Sequence, residues 1–282
     1  MASRKEQKEQ ARTARIAQEQ AAASSAQRAR RLQILGGVIA VAVIVIVVAI
    51  VLSSSGNGTS PKGTTTTLAK DGALHRILGT VNSELTGLPQ SGTTLGNPKA
   101  PVTMQYYGDL ECPICQAFTL DVLPTFLHQE VRTGHVKVVY RSMCTATCGT
   151  EHSNAVNQAQ FNSQQLAAYS AGQQGKFWQY AELFYRQQGK EGTLYPNQAY
   201  LTGLAKEIPG LNLAKWRADR QLPALKAQLA ADNSFALKAA LTGTPTLIMT
   251  GKKGSEIVNG TYLNTYAFPG PSQLAKAVTQ VS

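Results

Sequence analysis

The stretch LGNPKAPVTMQYYGDLECPICQAF, residues 95–118, decides the fold of this chain. Residues 102–107 are β-branched and aromatic, which predicts a strand that stops at Gly108-Asp109. Cys112-Pro113 follows, and a proline suits the first turn of a helix, where its missing N–H group would have no partner in any case. The stretch therefore predicts a strand that passes directly into a helix, with two cysteines at the junction.

The remaining elements extend this pattern into an α/β domain. Residues 136–140 predict a second strand, so the two strands should be parallel with a right-handed crossover. Residues 151–240 lack strand signals and carry aromatics at three- and four-residue spacing, which predicts several short helices with an aromatic core. Residues 246–249 and 256–259 predict a hairpin, and residues 271–280 a last helix. We expect a mixed sheet of at least four strands with a helical domain, at about 150–240, inserted between its second and third strands.

The four cysteines form two close pairs. At a helix N-terminus, Cys112 would meet unpaired N–H groups and the positive end of the helix dipole, which favour its thiolate. Cys115, one turn further on, would be shielded and could resolve a mixed disulfide. This pattern favours thiol-disulfide exchange, although zinc sites share it, and Cys144, Cys148 and His152 would then supply further ligands.

The second pair, Cys144 and Cys148, follows the second predicted strand at a spacing of four residues. One turn or a tight loop bridges such a spacing if the Cα atoms approach within about 7 Å. We expect a structural disulfide here, because close cysteine pairs in exported proteins usually oxidise. A redox relay with the first pair is the alternative.

A membrane segment separates two charge regimes. Residues 34–52, ILGGVIAVAVIVIVVAIVL, carry no charge, and a helix of that length spans about 28 Å, close to a hydrocarbon core. A cleaved signal peptide is the rival, but its apolar region is shorter and ends in an A-x-A site. Arg28, Arg30 and Arg31 precede the segment, so the positive-inside rule places the N-terminus in the cytoplasm.

Four regions follow from this interpretation. We expect a cytoplasmic basic tail at 1–31, a transmembrane signal anchor at 32–52, a flexible tether and packing arm at 53–92, and the folded domain at 93–282, outside the cytoplasm. The formal charge of +11 includes eight basic and three acidic side chains in the tail, and the rest is thinly spread. Such dispersal argues against nucleic-acid binding, which requires clustered basic and aromatic side chains.

The quoted stretch, the helical insert and Gly243-Thr244-Pro245-Thr246 together resemble the DsbA-like branch of the thioredoxin superfamily, in its membrane-anchored bacterial form. The resemblance covers residues 95–282. It implies a thioredoxin-like α/β fold with an inserted helical domain, preceded here by one transmembrane helix. It also implies that Cys112 is the nucleophile, Cys115 the resolving thiol and Pro245 a cis-proline, with Thr244 presenting its backbone to an extended substrate.

The sequence departs from this family in two places. Strongly oxidising members have a histidine between the cysteines, where this chain has Pro113-Ile114. Many relatives place an acidic residue six positions before the first cysteine, and Tyr106 stands there in this chain. Asp109 and Glu111 are the nearby carboxylates that would move protons instead, although we expect Glu111 to be solvated and to raise the thiol pKa by repulsion.

The resemblance implies a protein thiol-disulfide oxidoreductase without a bound cofactor or metal. We expect it to introduce disulfides into exported cysteine-containing proteins, and a quinone-linked membrane oxidase of the DsbB or vitamin K epoxide reductase type would regenerate its own disulfide. A membrane-tethered reductase or isomerase is the first alternative. A non-catalytic binding module or a metallochaperone is the alternative from a different class.

Overall fold

The structure is a computed structural model that describes residues 68–148, 154–263 and 265–282. The predicted cytoplasmic tail, the predicted signal anchor and residues 53–67 of the tether lie outside these ranges. Within the three described ranges, no helix combines the length and the apolar character needed to cross a membrane.

Among the described residues, six strands form one mixed sheet in the order β1-β2-β4-β3-β5-β6. They are β1 (Gln90–Ser91), β2 (Thr94–Leu95), β3 (Val102–Gly108), β4 (Val136–Ser142), β5 (Thr246–Gly251) and β6 (Gly254–Ile257). Strands β3 and β4 are parallel, whereas β5 runs antiparallel to β3 and β6 antiparallel to β5. The predicted mixed sheet is confirmed, and β3, which leads to the first cysteine pair, lies inside it between β4 and β5.

Nine α-helices accompany the sheet in the described part of the chain. They are α1 (Asp71–Leu85), α2 (Pro113–Ala117), α3 (Leu123–Phe126), α4 (Ala155–Gly172), α5 (Phe177–Arg186), α6 (Gln198–Glu207), α7 (Leu213–Asp219), α8 (Pro223–Lys238) and α9 (Pro271–Val281). Helices α4 to α8 follow β4 and precede β5, so they constitute the predicted helical insert. Most of its large aromatic side chains are buried, including both tryptophans, Trp178 and Trp216, whereas Phe235 of α8 is exposed.

The helical region after the cysteines accommodates an internal proline by widening. A π-helical segment, Phe118–Val122, separates α2 from α3, and a second one, Leu127–Val131, follows α3. Pro124 lies in the first turn of α3 and has no N–H group to donate to the preceding turn. A π turn relaxes that conflict without ending the helix. Phe118 and Phe126 therefore both remain buried in the core.

The N-terminal hairpin was not predicted from the sequence. Strands β1 and β2 pair with each other, and β2 pairs with β4, so residues 90–95 extend the sheet by two strands. The predicted domain boundary at residue 93 falls inside this hairpin. Helix α1 also belongs to the folded part, because its Glu84 carboxylate contacts Arg186 of α5 at 2.7 Å.

A buried polar cluster joins the insert to the sheet. Asp232 of α8 accepts hydrogen bonds from the Arg141 guanidinium, the Ser142 backbone N–H and the Tyr169 hydroxyl, at 3.1, 3.3 and 2.6 Å. Because Arg141 and Ser142 end β4, the insert is fixed to the sheet at the edge where the cysteines lie. These hydrogen bonds thus hold the helical insert against the end of the sheet that the cysteines follow.

Candidate active site

Cys112 stands at the junction of β3 and α2, where the sequence places it. It is the N-cap residue of α2, and Pro113 occupies the first helical turn. Its N–H donates to the Asp109 carbonyl at 3.1 Å, and its carbonyl accepts from Gln116 N–H at 3.0 Å. Cys112 and Cys115 are both free thiols. The sulfur of a helix N-cap residue lies near unpaired backbone N–H groups, which stabilise a thiolate.

Both thiols are enclosed by the surrounding residues. Only 5% of Cys112 is exposed, and Cys115 is fully buried, as its expected shielding requires. The hydrogen bond from Cys115 is the main cause that lowers the pKa of Cys112, and contacts with Thr244 and the Cys115 backbone N–H act in the same direction against burial. Burial raises the pKa of Cys115 far above its ordinary value. The two thiols are therefore strongly unequal in acidity.

The loop before β5 brings a second backbone segment to the first thiol. The Thr244–Pro245 peptide bond is cis. The Cys112 thiol donates to the Thr244 carbonyl oxygen at 3.4 Å. A cleft of about 570 Å³ extends from this contact, and its walls include Ile114, Pro245 and Val258. The Cys112 sulfur thus contacts Thr244, which lines a partly apolar groove.

Asp109 is buried in the turn between β3 and Cys112 and is fully satisfied by hydrogen bonds. Its Oδ1 accepts from Glu111 N–H at 3.0 Å and from the Thr147 hydroxyl at 2.7 Å. Its Oδ2 accepts from the N–H groups of Thr145 and Thr147 at 3.0 and 2.9 Å. Burial raises the pKa of Asp109, and these hydrogen bonds partly oppose the rise. Asp109 therefore links the active-site turn to the loop of the second cysteine pair.

Glu111 is buried, with 1% of its surface exposed, so the prediction of a solvated carboxylate is wrong. Gln160 of helix α4 covers it and donates to its Oε1 at 2.6 Å, whereas its Oε2 is buried without a partner in the described residues. Burial raises the pKa of Glu111 to about 7. Its pKa therefore lies near neutral pH, and its residue immediately precedes Cys112 in the chain.

Tyr106 occupies the position beneath the thiols where many relatives have an acid. Its hydroxyl contacts the Thr119 hydroxyl at 3.0 Å, the Cys115 carbonyl at 3.3 Å and the Tyr185 hydroxyl at 3.4 Å. Tyr185 in turn donates to the Asp109 carbonyl at 3.3 Å. Burial raises the pKa of Tyr106 well above 10, so the hydroxyl stays neutral and serves as a hydrogen-bonding support.

Cys144 and Cys148 form a disulfide, with Cα atoms 5.5 Å apart. Their loop follows β4, and its Thr145 hydroxyl bonds to the Thr244 hydroxyl. The described residues contain no cluster of three or more potential metal ligands, and His152 lies outside them. Sequence reasoning did not identify Thr145 and Thr147 as site residues, and the only signal available was their place between two cysteines at the end of a strand.

Comparisons with known proteins agree with this geometry. Residues 89–262 match the family model described as Thioredoxin. The chain is 22% identical over 159 residues to the probable disulfide bond formation protein D of Bacillus anthracis, a match that covers 56% of this chain and 69% of that protein.

Solved structures share the fold. Oxidised BdbD of Bacillus subtilis matches with a TM-score of 0.54 and 18% identity, over 70% of this chain and 96% of that one. DsbA2 of Pseudomonas aeruginosa matches with a TM-score of 0.51 and 21% identity, over 70% of this chain and 97% of that one. With the family match over more than half of the sequence and the two thiols at the strand-helix junction, this chain belongs to the thioredoxin family and is a DsbA-like thiol-disulfide oxidoreductase.

Proposed function

We propose that this enzyme introduces disulfides into exported cysteine-containing proteins. The observation that carries the proposal is the inequality of its two thiols: the pKa of Cys112 is lowered, and that of Cys115 is raised. Every contact that stabilises the Cys112 thiolate stabilises the reduced enzyme relative to its disulfide. The Cys112–Cys115 disulfide is then readily given up, which is the property of an oxidant.

The exchange proceeds in two displacements. A substrate thiolate attacks Cys112 Sγ of the oxidised enzyme, and the Cys112–Cys115 bond breaks with its electron pair going to Cys115. Buried Cys115 takes up a proton, because its raised pKa keeps it a thiol at neutral pH. A second substrate thiolate then attacks the substrate sulfur of the mixed disulfide and releases Cys112 as a thiolate. The substrate leaves oxidised, and the enzyme keeps two electrons.

The groove beside Thr244 suits a substrate in extended conformation. The backbone of Thr244 faces the Cys112 sulfur at 3.4 Å, and Ile114 and Val258 lie along the same cleft. An extended segment placed there would bring its cysteine to the reactive sulfur and a neighbouring apolar side chain to the wall. Main-chain contacts of this kind tolerate many sequences, which fits an enzyme with varied substrates.

The enzyme is proposed to act at the outer face of the cell membrane. The apolar, uncharged segment 34–52 and the preceding Arg28, Arg30 and Arg31 support a single-pass anchor with a cytoplasmic N-terminus. The residues between position 52 and helix α1, which begins at Asp71, would then tether the site near the bilayer. A membrane oxidase of the DsbB or vitamin K epoxide reductase type would take the two electrons and two protons from reduced Cys112 and Cys115 and pass them to a quinone.

The direction of exchange is tested by the redox equilibrium of the full chain in detergent against glutathione. A strong oxidase has a reduction potential of about −120 mV, whereas a reductase of the thioredoxin type has one of about −270 mV. We expect a value closer to the first. A value near the second would replace the oxidase by the reductase alternative and leave the exchange chemistry intact.

The location is tested separately by protease treatment of spheroplasts. Protease added outside should digest the domain that follows residue 52 and spare residues 1–31, because charge bias sets this orientation. Lysed spheroplasts serve as the control, in which both parts become accessible. Protection of the Cys112 region in intact spheroplasts would contradict the proposed location and the exported substrates.

A further inference from the structure

The loop of the second disulfide contacts both segments that surround the reactive sulfur. On one side, the backbone N–H groups of Thr145 and Thr147 and the Thr147 hydroxyl donate to the Asp109 carboxylate. On the other side, the Thr145 hydroxyl bonds to the Thr244 hydroxyl. The Asp109 carbonyl accepts a hydrogen bond from the Cys112 N–H group, and the Thr244 carbonyl accepts one from the Cys112 thiol. Residues 144–148 thus lie between two groups that each touch Cys112.

The disulfide closes the loop that carries these contacts. Two backbone N–H groups, two residues apart, point at the same carboxylate oxygen, and this requires a tight turn between Cys144 and Cys148. The insert holds the same turn from outside, because Asn157 donates to the Thr147 carbonyl at 3.1 Å and Gln164 to the Thr147 hydroxyl at 2.9 Å. Opening the disulfide would release the two ends of this turn and add conformational freedom.

We propose that the Cys144–Cys148 loop positions Asp109 and Thr244 around Cys112, so that the second disulfide controls the reactivity of the first pair without exchanging electrons with the substrate. The proposal deepens the function proposed above and rests on Cys112 being the exchanging thiol. Thr145, Thr147 and Asp109 are positioning residues in this scheme. The structure gives the loop a role in the site that a disulfide serving stability alone would lack.

The charged and titratable groups facing Cys112 fix the sign of the expected effect. Contacts with Cys115 and Thr244 lower its pKa, whereas the charge of Asp109 and burial raise it. The hydrogen bond from the Thr244 side chain lowers the pKa of Cys112 more than the charge of Asp109 raises it, and the Thr145 hydroxyl holds that side chain. A loosened loop should therefore leave Cys112 less ionised at neutral pH, and it should react more slowly.

The test measures the alkylation of Cys112 by iodoacetamide as a function of pH, with the modified peptide identified by mass spectrometry. It uses the full chain in detergent with the first pair reduced and the second intact. Thr145→Val keeps the disulfide and removes the hydroxyl contact with Thr244. We expect alkylation at pH 7 to slow about two- to tenfold, the effect of one hydrogen bond, with the pH midpoint moved upward.

The double variant Cys144→Ser/Cys148→Ser should move the midpoint in the same direction. Thr93→Val is the control for the same substitution, because Thr93 lies in the β1–β2 turn, is more buried than the half-buried Thr145, and bonds to Tyr140 N–H and the Trp178 indole through its carbonyl alone. It should leave the alkylation profile unchanged. If the double variant does not fold, Thr145→Val against Thr93→Val still decides the question.

Two results would overturn the inference. Alkylation profiles that match the wild type in both loop variants would make the second disulfide purely structural. Loss of substrate oxidation in the double variant with an unchanged alkylation profile would place the second pair in the electron path. A wild-type potential near that of a reductase would instead refute the proposed direction of exchange, and the alkylation comparison would be unaffected by it.

Discussion

The two cysteine pairs follow the C-terminal ends of two neighbouring parallel strands, β3 and β4, yet they are in different chemical states. Cys112 and Cys115 are free thiols, whereas Cys144 and Cys148 are joined. The first pair follows β3 into a helix, and the second follows β4 into a tight loop. A helix N-terminus supplies N–H groups to a sulfur, whereas the loop points its N–H groups away, at Asp109. The groups to which the backbone N–H groups point thus differ between the free pair and the bridged pair.

The difference between the pairs also depends on how each is enclosed. The first pair lies under the cis-proline loop, where Cys112 keeps 5% exposure and Cys115 none. Cys148 is half-buried at the margin of a small cavity of about 240 Å³, with Met143 and Leu241 nearby. Cys112, whose pKa is lowered and which contacts a groove, is suited to exchange with a large substrate. The bridged Cys144–Cys148 loop is suited to hold Asp109 and Thr244 in place.

The largest expected effect separates the two members of the first pair. Cys112→Ser should reduce oxidation of a reduced protein substrate to the background rate, because no sulfur remains for the substrate to attack. Cys115→Ser should instead accumulate mixed disulfides when it is mixed with a disulfide-bonded substrate, because the Cys112 thiolate displaces one substrate thiol and no Cys115 thiol remains to displace the other. Non-reducing gels of reactions with a cysteine-containing substrate distinguish the two outcomes. Equal trapping by both variants would show that the roles of the thiols are not divided as proposed.

The next effect concerns the carboxylate that precedes the first pair. Burial raises the pKa of Glu111 from its usual 4.5 to about 7, so the folded state binds an extra proton between these values. Protonated Glu111 therefore contributes its full share to the free energy of unfolding below pH 4.5, and this contribution is lost as the pH rises through 7. Glu111→Gln resembles the neutral acid and should remove this pH dependence, which amounts to at most about 3 kcal/mol.

Urea unfolding at pH 5 and pH 8 measures this difference for the wild type and Glu111→Gln. The free energy of unfolding of the variant should change less between the two values. Glu191→Gln is the control, because it replaces an exposed carboxylate in the loop between α5 and α6. Parallel changes in the wild type and Glu111→Gln would show that the buried carboxylate does not take up the proton.

A smaller effect is expected from the second pair. Replacing Cys144 and Cys148 together by serine should lower the free energy of unfolding by about 2 kcal/mol, since the closed loop is short. The same variant should retain substrate oxidation, slowed but well above the Cys112→Ser background. Urea titration followed by circular dichroism gives the first quantity, and substrate oxidation the second. A variant as inactive as Cys112→Ser would erase the distinction between the pairs.

Local sequence signals were sufficient for the elements that carry the first pair. The strand ends at Gly108 and the helix begins at Pro113, and both boundaries follow from backbone chemistry at single residues. The β1–β2 hairpin was missed because strands of two residues have no alternation to recognise. It becomes visible only through its pairing with β4, more than forty residues away.

The contacts of the site depend on long-range packing and were less predictable. Asp109 meets Thr147, 38 residues later, and Glu111 is buried because Gln160, 49 residues later, covers it. Neither contact has a local pattern. The cysteines and the Thr244–Pro245 step were recognisable because their chemistry depends on residue type. The groups that adjust this chemistry were not, because any buried carboxylate or threonine looks the same in sequence.

The smallest expected effect tests whether the hydrogen bonds of the Tyr106 hydroxyl, which lies beneath the first cysteine pair, contribute to stability. Tyr106 and Tyr140 are paired across β3 and β4, and both are fully buried. The Tyr106 hydroxyl contacts Thr119 and the Cys115 carbonyl, whereas the Tyr140 hydroxyl has no hydrogen-bond partner in the described residues. Removing a hydroxyl that has partners costs about 1 kcal/mol, but removing a buried one without partners costs nothing or stabilises.

Tyr106→Phe should therefore lower the free energy of unfolding by about 1 kcal/mol, and Tyr140→Phe should leave it unchanged or raise it. The two variants are matched in residue type, burial and strand register, so urea titration isolates the contribution of the hydroxyl contacts. Tyr106→Phe should also leave the pH dependence of Cys112 alkylation unaltered, because burial keeps the Tyr106 hydroxyl neutral at every working pH. A changed alkylation midpoint in Tyr106→Phe would mean that the Tyr106 hydroxyl influences the ionisation of Cys112, and its role as a neutral hydrogen-bonding support would be wrong.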